Sequence, residues 1–166
     1  TVYLLDPSEA SPGLRPLLPA GSFEGPNGIV ARADGQLLVA DFHALWLVDA
    51  SSPAPARKRR ITTPGGRYLG GMDGLARDGD HIVAIQNLVG RGRVWRFRVD
   101  AAAAHVDDLQ LLLRQHPDLR NPTTGVVADR RFLFVADPNL QGFADDALSA
   151  APAGRRGHRI LALRLP

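Results

Sequence analysis

Cysteine is absent from these 166 residues, which removes a disulfide framework, a thiolate metal site and a cysteine nucleophile at once. The same absence leaves the compartment open between cytoplasm and periplasm. No apolar tract is long enough to cross a bilayer, so the composition reads as that of a soluble chain with no membrane partner. Lysine is nearly missing too: Lys58 is the one lysine among twenty basic residues, and the formal net charge of +3 reflects an arginine bias as much as a partner. The densest basic run, Arg57-Lys58-Arg59-Arg60, reads as a solvated strand edge whose charges oppose aggregation, and nucleic acid is not an expected partner. The chain opens at Thr1 with neither an initiator methionine nor a signal-peptide pattern, while residues 1–5 already have strand composition; a preceding segment is the expectation.

What is present is a repeat. Pro26-Asn27-Gly28-Ile29-Val30-Ala31, Met72-Asp73-Gly74-Leu75-Ala76-Arg77 and Thr123-Thr124-Gly125-Val126-Val127-Ala128 each set a polar residue before a glycine and then start a short strand. A tight turn and an apolar strand follow every copy. The glycines at 28, 74 and 125 fall 46 and 51 residues apart, a period that belongs to solenoids and propellers. The expected fold is therefore all-β: a β-propeller of four-stranded antiparallel blades, with about three blades plus an N-terminal hairpin, half of a six-bladed ring. Residues 1–18 form the tail of a preceding blade, and 26–62, 70–114 and 122–166 form the three blades, the last with a long loop over 138–158. Residues 101–113 have helical composition, but the repeat requires a strand there. The segment 138–156, with a short helix near Asp145, is expected to be a mobile cover over one end of the channel.

In a propeller the first strand of each blade lines the channel, so Asn27, Asp73 and Thr124 should converge, with glycine relieving the crowding near the axis. The link between second and third strands emerges on the same face. It adds Asp41, Phe42 and His43 from the first blade, Gln86 and Asn87 from the second, and Asp137 and Asn139 from the third. Such an oxygen-rich mouth suits a hard cation. Trp46 and Trp95 hold equivalent third-strand positions and read as packing between blades. His81, His105, His116 and His158 show no mutual ligand spacing.

The order Pro26-Asn27-Gly28-Ile29, Met72-Asp73-Gly74-Leu75, Pro122-Thr123-Thr124-Gly125-Val126 resembles the second half of the regucalcin/gluconolactonase family of six-bladed propellers, which includes sugar-lactone hydrolases. Ile85-Gln86-Asn87, Arg93-Val94-Trp95-Arg96-Phe97 and His116-Pro117 extend the likeness to bacterial members. The resemblance implies that Asn27 and Asp73 are two ligands of a divalent cation, calcium or zinc, and that Asp73 is also the base that activates water. It implies a small lactone or sugar-derived ligand, to which Thr124, Asn87, His43 and Asp137 offer contacts. The family's glutamate ligand and main substrate contacts belong to a first half that has no counterpart here, and Glu24 does not replace that glutamate by position.

Each of these residues has a plainer reading beside the functional one: Asp73 and Asn27 as turn formers before glycine, Thr124 as a hydroxyl bonded to backbone, His43 as an exposed bystander. Two classes of function follow, a metal-dependent hydrolase of lactones or related esters, and a non-catalytic propeller that binds a ligand or a protein at the same mouth. An arc of three blades leaves an apolar face at either end, so the rest of a longer propeller or a second copy of the chain is the expected partner.

Overall fold

The computed structural model describes residues 1–8, 13–50, 56–138 and 157–166. The expected cover over 138–156, with its helix near Asp145, and the mouth residue Asn139 fall almost wholly outside them. Apart from one 3-10 turn at Pro64–Gly66, the regular structure in the described residues is β, arranged in four antiparallel sheets. The first sheet pairs β1 (Tyr3–Leu4) with β2 (Arg15–Pro16). The second runs β3 (Ile29–Ala31), β4 (Leu37–Ala40), β5 (Leu45–Asp49) and β6 (Arg57–Arg60) in chain order. The third repeats the order with β7 (Met72–Asp78), β8 (His81–Gln86), β9 (Arg93–Asp100) and β10 (His105–Arg114). The fourth holds β11 (Gly125–Ala128), β12 (Arg131–Asp137) and β13 (Arg159–Arg164).

Tight turns make this meander possible. Asp34 caps the β3–β4 turn by accepting the Gln36 N–H at 3.1 Å, and Gly35 supplies the left-handed residue at φ 80. The β11–β12 hairpin turns on Asp129 and Arg130, both left-handed at φ 49 and 57, the conformation that matches the strand twist in a two-residue hairpin. The 105–114 segment is strand despite its helical composition. Its pairing with β9 and the full burial of Val106 outweigh propensity, and two register shifts, with Asp108 left-handed at φ 46, absorb the mismatch.

Alternation of side chains along each strand sends successive residues to opposite faces, and the sheets stack through those faces. Leu38, Ala40, Leu45 and Leu47 of the second sheet share a core with Ile82, Ala84, Trp95 and Phe97 of the third. Val83, Ile85 and Val94 face the other way, onto Phe132, Phe134 and Ala136 of the fourth. Val39 and Val48 close the second sheet against Leu17, Leu18 and Phe23 beside the first. Each fully buried phenylalanine or leucine contributes roughly 1.5–3 kcal/mol by leaving water. Trp46 and Trp95 both pack between sheets, as their matched positions predict. Edge strand β6 carries the basic run: Lys58 lies 3.9 Å from the Trp46 ring centre, and Arg59 donates to the Ala102 carbonyl at 3.0 Å across to the third sheet. The run stitches neighbouring sheets together as well as blunting an edge.

The first strands β3, β7 and β11 of the three larger sheets lie side by side. A methyl group on Gly28 would overlap the Asp73 carbonyl, and one on Gly74 would come within 2.7 Å of the Thr123 carbonyl oxygen. Glycine is thus required where these backbones approach most closely.

Candidate functional site

Asp73, the second residue of β7, stands at this close approach. Met72 pairs with Gln86 and Leu75 with Ala84, so Asp73 and Gly74 together face the single residue Ile85. That is a β-bulge, a device that re-aims a side chain at a strand end. The Asp73 carboxylate is half-buried, and its Oδ2 accepts the Asn87 Nδ2–H at 2.7 Å. Asn27, at the entrance to β3 in the neighbouring sheet, also hydrogen-bonds it. Burial raises the Asp73 pKa above its ordinary value of 3.8, while the two amides, Asn87 ahead of Asn27, pull it the other way without restoring it. Two sheets and three chain segments therefore converge on one carboxylate.

The other predicted positions fall outside this hydrogen-bonded group. His43 is exposed and its Nε2 sits 2.9 Å from Glu24 Oε2, so its ring is engaged by the solvated turn before β3. Thr124 is exposed, and its carbonyl accepts the Val135 N–H at 3.0 Å. Asp137 ends β12 with 7% of its surface exposed, in register with Arg159.

Asp41 and Gln86, expected in the mouth, are instead internal, at 3% and 0% exposure. Asp41 Oδ1 accepts the N–H groups of His43 at 2.9 Å and Ala44 at 2.8 Å, and Oδ2 accepts the Trp46 indole N–H at 2.8 Å. Gln86 plays the matching part in the third sheet. Its Oε1 accepts the Trp95 indole N–H at 2.9 Å, and its Nε2 donates to the carbonyls of Gly70 at 2.9 Å and Tyr68 at 3.2 Å. Both residues anchor the tryptophan of the next strand. The signal was present in the sequence: a polar residue ends the second strand of each unit whose third strand carries a tryptophan.

No family model matches this chain, and no curated protein matches it. The site rests on its own chemistry. Among the described residues no group of three or more His, Cys, Asp or Glu side chains is placed to share a metal ion. The Asn27/Asp73/Asn87 cluster offers one carboxylate and two amides, all oxygen donors once an amide presents its carbonyl.

Proposed function

We propose that Asn27, Asp73 and Asn87 form the centre of a cation-dependent site that hydrolyses lactones or related esters, at the mouth of a regucalcin-like propeller whose blades are the three larger sheets. The observation that carries this reading is the convergence of two amides from different segments on a half-buried carboxylate of raised pKa, at the crowded ends of the first strands. Perturbed carboxylates at such convergent positions are candidates for acid–base work. The all-oxygen donor set fits calcium better than zinc, which favours nitrogen and sulfur ligands. A bound cation would polarise the ester carbonyl and acidify a water molecule.

Asp73 takes the proton of the attacking water as the C–O bond to the carbonyl carbon forms, and returns it to the leaving alkoxide when the ring or ester opens. Asn27 and Asn87 hold the carboxylate in one orientation. Exposed apolar side chains at the two ends of the stack, Val126 and Ile160 on the fourth sheet and Tyr3, Leu4 and Leu14 on the first, support further blades, from a longer chain or from a second copy, completing the ring.

One observation favours the second reading, a non-catalytic ligand-binding propeller: Asp73 is the single carboxylate in the cluster, a weak charge complement for a divalent ion. Lactone turnover measured with calcium added or chelated, beside calcium titration by calorimetry, separates the two. Calcium-dependent turnover that falls at least about 100-fold in Asp73→Asn supports the hydrolase. Calcium binding that weakens in the same variant without any turnover assigns the binder. Neither binding nor turnover in the wild type removes the site altogether.

A further inference from the structure

The loop from β8 to β9, which begins at Asn87, continues as Leu88-Val89-Gly90-Arg91-Gly92-Arg93. Beyond it, at the end of β10, stand Arg114 and Gln115. Together they line a pocket of about 400 Å³ that contains Arg91, Arg93 and Arg114 and no acidic residue. Two arginines of the third sheet are answered within it: Arg96 binds Asp78 at 2.8 Å and Arg98 binds Asp107 at 3.1 Å. The side chains of the three in the pocket make no hydrogen bond or ion pair with any described residue. Arg93 is half-buried and stands directly opposite Arg114 in the β9–β10 register. Like charges facing each other across a ladder are unfavourable, and nothing in the described residues relieves them.

The pocket is also held in shape. Gly90 and Gly92 take left-handed φ values of 61 and 100, and a side chain on Gly92 would strike the Pro122 ring from the approach to the fourth sheet. The Gly92 N–H closes the turn on the Val89 carbonyl at 3.2 Å. Guanidinium groups are planar forks that bind two oxygens of one anion at once, and three of them without a counter-charge match a doubly charged tetrahedral oxyanion.

We infer that the Arg91/Arg93/Arg114 pocket is an anion site that takes a phosphate group, free or on a small molecule, at the same end of the third sheet as Asn87. This inference does not rest on the hydrolase reading: phosphate binding is measured directly and stands whether or not lactones are turned over. The full chain is titrated with inorganic phosphate and with a sugar phosphate, following arginine side-chain NMR signals and heat.

Saturable binding is expected, weakened at least about tenfold by Arg93→Gln and by Arg114→Gln, and weakened also by Arg93→Lys, which keeps the charge and loses the fork. Arg77→Gln should leave it unchanged, because Arg77 lies in a pocket at the opposite strand ends, beside Asp34, Asp80, Asp100 and Asp107. Arg114→Glu provides an internal counter-charge; it should abolish phosphate binding while raising the melting temperature, which guards against loss by misfolding. A sugar phosphate that binds tighter than phosphate assigns the site to a phosphorylated small molecule, and equal affinity assigns it to the free anion. Absence of saturable binding at millimolar phosphate overturns the inference, as does an Arg77→Gln loss equal to that of Arg93→Gln.

Discussion

Asp41 and Asp73 stand at the same end of neighbouring sheets, one directly after β4 and the other second in β7, yet their surroundings differ in kind. Asp41 is buried and receives two backbone N–H groups and an indole N–H, so its acceptor capacity is spent on closing a turn and fixing Trp46. Asp73 is half-buried and receives two side-chain amides, which are rotatable and carry oxygens of their own. The backbone donors around Asp41 belong to the fold and cannot be exchanged for a ligand. The amides around Asp73 can turn over. Their two repeat positions lie at the same end of the sheets, and what separates these carboxylates is the nature of their donors.

The largest effect that would break this contrast is on stability. Asp41→Ala leaves three buried or half-buried donors without an acceptor and should lower the unfolding free energy by about 3 kcal/mol, read by chemical denaturation. Gln86→Ala, which orphans the Trp95 indole and two carbonyls in the third sheet, should cost a similar amount. Asp73→Ala should stay within about 1 kcal/mol, since its partners can turn to solvent. Equal losses at Asp41 and Asp73 would make Asp73 one more turn anchor and end the comparison.

A smaller effect concerns pH. Because the folded pKa of Asp73 is raised, the native state holds its proton more tightly than the unfolded chain does, and this group's contribution to stability declines as pH rises from 3.8 through the raised value. Asp73→Asn removes that decline, so its stability relative to wild type should improve across the same window. Lowered carboxylates such as Asp34 act in the opposite direction and are common to both proteins, so they cancel in the difference. Asn87→Ala deletes the larger of the two pKa-lowering bonds and should move the acidic limb of any Asp73-dependent activity or binding to higher pH. An unmoved limb would mean that Asn87 is not a partner of the ionised carboxylate.

Much of the fold is legible in the sequence. Polar-glycine pairs at 27–28, 73–74 and 124–125 located β3, β7 and β11, and the continuous apolar runs Leu37-Leu38-Val39-Ala40 and Ile82-Val83-Ala84-Ile85 located strands, which the structure buries on both faces. The candidate site is legible in part. Asn27, Asp73 and Asn87 were all picked out, but so were Asp41 and Gln86, whose side chains turn inward, and His43, whose ring goes to Glu24. Sequence position says which end of a strand a residue occupies; it does not say whether a backbone N–H waits beside it. Arg93 and Arg114 show the same limit. Read singly they belong to an arginine-rich composition, and their opposition emerges only from a register that skips residues at two shifts in β10.

By itself, then, the sequence determined the all-β class, the strand order within each sheet and the close approach at Gly28 and Gly74, because period, alternation and missing side chains act between near neighbours. Tertiary structure decided which carboxylate is spent and which is available, and which arginines are left facing one another. Those outcomes depend on donors and charges brought together across sheets, as for Asn27 and Asp73, or across a shifted ladder within one sheet, as for Arg93 and Arg114, whose separation along the chain carries no trace of their contact.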